Sequence, residues 1–151
     1  MNLISPILLP ENVIVDAEST SKKRVLERAG ILFESTRQVS RSQVFDSLFA
    51  REKLGSTGLG HGVAIPHGRT KGLRDAMAAF IKTQSPIPFD APDGQPVTLI
   101  FILLVPERAT DLHLQLLGEL AQMFSDRNFR EQLQAINDPA PLHQLFVNWQ
   151  R

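Results

Sequence analysis

Short apolar runs along this chain alternate with longer segments in which apolar residues recur every three or four positions, the pattern of a mixed α/β domain. Val13 to Val15 predicts a short first strand. Ser19 or Thr20 is placed to cap a helix to about Thr36, with Val25, Ala29 and Phe33, four residues apart, as its inward stripe. A second helix starts near Ser42, pairs Val44 with Leu48 and Phe45 with Phe49, and is expected to stop at Gly55. Three further strands are predicted over Val63 to Ile65, Ala76 to Lys82 and Val97 to Val105; the last is apolar except for Thr98 and reads as buried. Between the last two, Ser85 to Pro96 is so dense in Pro, Asp and Gly that a long surface connection is expected, continuing neither strand. Thr110 is positioned to cap a helix to about Phe124, Asp126 to open a shorter one, and Pro141 to Trp149 to close the chain as an amphipathic helix. The expected architecture is a single α/β domain over residues 1–151, its core about 5–149, with a central mixed β-sheet of about five strands flanked by helices on both sides.

Charge and composition narrow the function. Sixteen basic residues balance sixteen acidic ones without any block of one sign, which argues against nucleic acid as a partner. No basic residue precedes Lys22, so the start lacks the charged opening of a secretory signal and a cytoplasmic location is expected. The run from Val97 to Val105 is less than half the roughly 20 residues a membrane helix needs, so no direct membrane insertion is expected. With no cysteine there are no disulfides, thiolate metal sites or cysteine nucleophiles.

The chemistry concentrates between Arg51 and Arg69, in REKLGSTGLGHGVAIPHGR. His67 stands between Pro66, whose ring fixes φ, and Gly68, which adds no bulk. Upstream, Gly60 and Gly62 allow backbone N–H groups to approach an anion, Ser56 and Thr57 offer hydroxyl donors, and Arg51 and Arg69 offer planar forks to phosphoryl oxygens. An imidazole with a reference pKa of ~6.5 is largely neutral and nucleophilic near neutral pH, so His67 is the leading candidate to accept a phosphoryl group. His113 opens a helix whose inner face carries Leu116, Leu117, Leu120 and Phe124, where it serves either as a core-edge histidine or, beside the positive helix start, as support for a phosphoryl group. Arg51, in the last turn of its helix, suits the helix dipole whatever else it does, and Arg69 is close enough to the nucleophile to bind phosphate or to meet a partner.

Glu52, Leu59-Gly60 and the block Val63-Ala64-Ile65-Pro66-His67-Gly68 resemble the phosphorylation site of the fructose/mannitol-type IIA proteins of the bacterial sugar phosphotransferase system, without departure within the run. The likeness extends from Leu3-Ile4 through Asp111-Leu112-His113 to the C-terminal helix, and is greatest to the free-standing nitrogen-regulatory branch. The resemblance implies a phosphotransferase component without small-molecule turnover of its own. His67 would attack, through Nε2, the phosphohistidine of a small nitrogen-branch histidine phosphocarrier protein; His113 would face it, and Arg51 would bind the phosphoryl group. It also implies regulatory targets such as potassium transporters or sensor kinases, and no metal or organic cofactor.

Other readings stay open at this level. A transport component would pass phosphate from His67 to a separate IIB protein, which in sugar-transporting relatives accepts it on a cysteine that this chain lacks. A metal-dependent hydrolase could be built on His61, His67 and His113, although their spacing matches no common zinc motif. A pure interaction module, with phosphorylation vestigial, is a further rival.

Overall fold

Residues 97–105 are apolar at almost every position, which a strand requires only when both its faces are covered. In the computed structural model, which describes residues 2–150, this run is the strand β6 (Val97–Pro106), and alternate residues enter two separate cores. Leu99, Phe101, Leu103 and Val105 face one core; Ile100, Ile102 and Leu104 face the other. The remaining strands are β1 (Leu8–Ala17), β2 (Gly58–Gly60), β3 (Val63–Ala64), β4 (His67–Thr70) and β5 (Met77–Ile87), giving a mixed six-stranded sheet in the order β1-β5-β6-β3-β2, with β4 also paired to β6.

Five helices cover the two faces. The helices α1 (Lys22–Arg37) and α2 (Arg41–Lys53) lay Val25, Leu26, Ala29, Phe33, Val44 and Leu48 on one face. On the other, α3 (Thr110–Ser125), α4 (Arg127–Ala135) and α5 (Pro139–Asn148) bring Leu120, Phe124, Phe129 and Phe146 against the sheet. The α/β architecture is as the apolar pattern predicts; no helix among the described residues is long and apolar enough to cross a membrane.

Several boundaries move, each for a local reason. Against an expected sheet of about five strands, four of them located in the sequence, the structure has six, because Gly58–Gly60 and His67–Thr70, poor strand formers alone, are recruited by pairing with neighbours. The expected surface connection from Ser85 loses its first residues to β5, whose register shifts between Lys82 and Ile87. Gln84, Ser85 and Pro86 stand exposed in that irregular stretch, so the missing N–H of Pro86 costs no regular ladder bond. Ser21, rather than Ser19 or Thr20, caps α1 by accepting the Arg24 N–H at 3.2 Å. Ala109 is the N-cap of α3 and makes no side-chain cap bond, so Thr110 is the first helical residue instead of the cap. Asp126 caps α4 as expected, and Asp138 caps α5, starting it at Pro139 instead of Pro141.

Strands β3 and β4 lie along β6 in one register, Ala64 beside Ile100 and His67 beside Leu103. Only Ile65-Pro66 interrupts them, where proline cannot donate to a ladder. That interruption sets the position of His67.

Candidate functional site

His67 opens β4 and is half-buried. Its Nδ1 lies 2.8 Å from the Ile65 carbonyl, an acceptor only, so Nδ1 carries the proton and Nε2 keeps its lone pair. Burial holds the imidazole below the usual histidine range; the Ile65 hydrogen bond opposes that shift, the Arg51 charge adds to it and Glu52 opposes it. A neutral ring with a free Nε2 is a nucleophile.

His113 lies one turn into α3 with its ring centroid 5.3 Å from that of His67 and the planes at 73°. Its Nδ1 is buried without a hydrogen-bond partner. Burial again lowers its pKa, helped by the charges of His67, Arg69 and Arg51. Arg51, in the last turn of α2, donates Nη1 to the Gly55 carbonyl at 2.8 Å, and the exposed Arg69 reaches Thr110 Oγ1 at the start of α3 at 3.5 Å. The fold therefore brings His67, His113, Arg51 and Arg69 together from β4, α3 and α2.

The remaining sequence candidates separate. Gly60 and Gly62 take positive φ, 91° and 78°, in the turn joining β2 to β3. The Gly62 carbonyl accepts from Thr98 and Leu99, whereas His67 sits beside Leu103, roughly 15 Å further along β6. These glycines shape a turn at the far end of the strand and do not cradle the His67 ring. His61 lies in the same turn, its N–H bonded to Asp93 Oδ2 at 3.0 Å, so the three-histidine metal set is not assembled. Gly68 serves packing: a Cβ there would stand 2.5 Å from Ser47 Oγ and 3.2 Å from the Ser47 carbonyl oxygen of α2. The Ser56 hydroxyl is held by the Phe89 carbonyl at 2.5 Å and the Thr57 hydroxyl by Glu52 at 2.6 Å, which commits both to the loop's own scaffold.

Two groups that act on His67 were not given that part by the sequence alone. The Ile65 carbonyl leaves no side-chain signal at all. Glu52 does leave one: an acid in the last turn of a helix opposes the helix dipole and implies a tertiary reason for its presence.

Residues 6–149 match the family described as "Phosphoenolpyruvate-dependent sugar phosphotransferase system, EIIA 2". A nitrogen regulatory protein of Pseudomonas aeruginosa is 41% identical over 148 residues, covering 97% of this chain and 96% of that protein. The crystal structure of the nitrogen regulatory protein IIA-Ntr from Neisseria meningitidis superposes with a TM-score of 0.90 at 52% identity, covering 95% of this chain and 99% of that one. The mannitol IIA protein of Escherichia coli shares the fold, with a TM-score of 0.76 at 21% identity over 89% of this chain and 95% of that one. With a family match over nearly its whole length and full-length nitrogen-regulatory relatives, this chain belongs to the EIIA 2 family of the phosphotransferase system and, within it, to the nitrogen-regulatory branch.

Proposed function

We propose that the chain accepts a phosphoryl group on His67 Nε2 from the phosphohistidine of a small nitrogen-branch phosphocarrier protein, and that the phosphorylated state controls which proteins it binds. The observation that carries this reading is the hydrogen bond from His67 Nδ1 to the Ile65 carbonyl, which leaves Nε2 unprotonated beside His113. The Nε2 lone pair forms the new N–P bond as the carrier's N–P bond breaks, and the released electron pair returns to the carrier's imidazole. Transfer of this kind depends on positioning and charge stabilisation, here supplied by Arg51, Arg69, His113 and the N-terminal turn of α3.

Phosphorylation adds about 1.5 to 2 negative charges by analogy with other phosphorylated side chains. On His67 that charge alters the surface around Arg69 and the start of α3, so a target docking there, such as a potassium transporter or sensor kinase, prefers the unphosphorylated form.

Incubation with a phosphorylated nitrogen-branch carrier should add one acid-labile phosphoryl group by intact mass, and His67→Ala should abolish it. Acceptance by His67→Ala would sink the assignment. Pull-downs with wild type, His67→Ala and His67→Asp test the regulatory half. Identical partner sets for all three, with efficient flow from wild type to a sugar-specific IIB protein, would replace that half by transport.

A further inference from the structure

Glu52 is an anomaly by every local rule. It is acidic in the last turn of α2, where the dipole favours cations, and its side chain is only 2% exposed. A buried carboxylate survives only with its oxygens satisfied, and three donors do so here. Oε2 accepts from Lys22 Nζ at 3.2 Å and from the Thr57 N–H at 2.9 Å; Oε1 accepts from the Thr57 hydroxyl at 2.6 Å.

The bonds continue past Thr57. Its carbonyl accepts the Ile65 N–H at 3.0 Å, and the Ile65 carbonyl in turn receives His67 Nδ1 at 2.8 Å. The path from Lys22 to the imidazole is unbroken, and each residue on it lies between two bonded neighbours. A second tie runs parallel: Ser56 Oγ donates to the Phe89 carbonyl, and the Lys22 ammonium lies 4.9 Å from the Phe89 ring centroid. The segment 55–57 carries no regular structure of its own. Glu52, the Ser56 tie and the pairing of Gly58 with Ala64 together hold it in place, and of these only Glu52 grips Thr57 by its side chain.

We propose that Glu52 is a positioning residue for His67: with Lys22 behind it, Glu52 clamps Thr57, the Thr57 carbonyl holds the Ile65 N–H and so anchors that residue, and the Ile65 carbonyl, on the next peptide group, imposes the Nδ1–H tautomer and ring orientation that leave Nε2 free. The imposition matters because a neutral histidine side chain in water favours the opposite tautomer, with the proton on Nε2 where no attack can start. The effect is positional: the buried carboxylate at one end helps to place the carbonyl that orients the imidazole at the other. Its catalytic consequence rests on the phosphotransfer reading above; the tautomer itself does not.

The test uses the full chain with ¹⁵N-labelled histidine and reads the His67 ring nitrogens by long-range ¹H–¹⁵N correlation, alongside single-turnover transfer from a phosphorylated carrier. Wild type should show Nδ1 protonated. Glu52→Gln and Thr57→Val should populate the Nε2–H form and slow transfer by about ten-fold at saturating carrier, the equivalent of one hydrogen bond, with little change in carrier affinity. Thr57→Ser, which restores the hydroxyl, should recover both. If Glu52→Gln does not fold, the Thr57 pair decides, since both variants leave the carboxylate its Lys22 and backbone N–H partners. Folded Glu52→Gln or Thr57→Val protein with the wild-type tautomer and rate would overturn the proposal. Should wild type accept no phosphoryl group, the phosphotransfer reading fails, while the tautomer measurement still decides the role of Glu52.

Discussion

At the scale of single residues, the candidate site holds two imidazoles whose surroundings favour the neutral form. His67 and His113 are both held below the ordinary histidine pKa, chiefly by burial. Each therefore binds its proton less readily folded than unfolded, so their contribution to stability is complete above ~6.5 and is lost as pH falls below it. An NMR titration of the His67 ring should give a midpoint below ~6.5, and a midpoint at or above that value would contradict the burial argument. Arg51→Lys should slow phosphoryl transfer about ten-fold while leaving the fold intact, because lysine keeps the charge but loses the planar fork. Unchanged single-turnover kinetics would return Arg51 to its helix-dipole role. His113→Ala should slow transfer without removing the acceptor, and an unaltered rate would restore the core-edge reading of that residue.

At the scale of elements, the glycines divide by function in a way their sequence does not show. Gly60 and Gly62 serve a positive-φ turn remote from His67, whereas Gly68 lets α2 rest against β4. Since the carbonyl of Ser47 belongs to helix backbone and cannot move alone, Gly68→Ala should cost about 1 to 3 kcal/mol by overpacking, read as a lower midpoint in urea. A wild-type midpoint would show that α2 shifts freely, and that the Arg51 it carries is not rigidly placed. Lys82 acts between elements as well: from β5 its Nζ donates to the carbonyls of Leu133, Gln134 and Ile136 at the end of α4. It thereby caps a helix that has no basic residue in its own last turn.

At the scale of the whole molecule, the sheet separates two cores, and His67 pairs near the end of the strand that serves both. The core under α3, α4 and α5 centres on Phe146, whose ring lies 4.8 Å from Phe80, 5.3 Å from Phe129 and 5.5 Å from Phe101. Phe146→Ala should cost about 3 to 5 kcal/mol, a large part of the roughly 5 to 15 that a domain has. Equilibrium denaturation checks this, and a loss under about 1 kcal/mol would show that the helices collapse into the space.

Local chemistry and residue period alone account for the helical stripe of Val25, Ala29 and Phe33, the doubly buried strand at 97–105, and the Pro-His-Gly presentation of His67. These were legible because side-chain period and proline geometry act over a few residues. Which distant groups meet depends on how the elements pack. The short strands at 58–60 and 67–70 exist through their partners, and the turn at 60–62 is carried away from His67 by the length of β6. Glu52, unfavourable in its own helix, is explained only by Lys22 and Thr57, one of them thirty residues distant. Backbone carbonyls such as that of Ile65 carry no side-chain identity, so the group that sets the tautomer of His67 could be found only once the chain was folded.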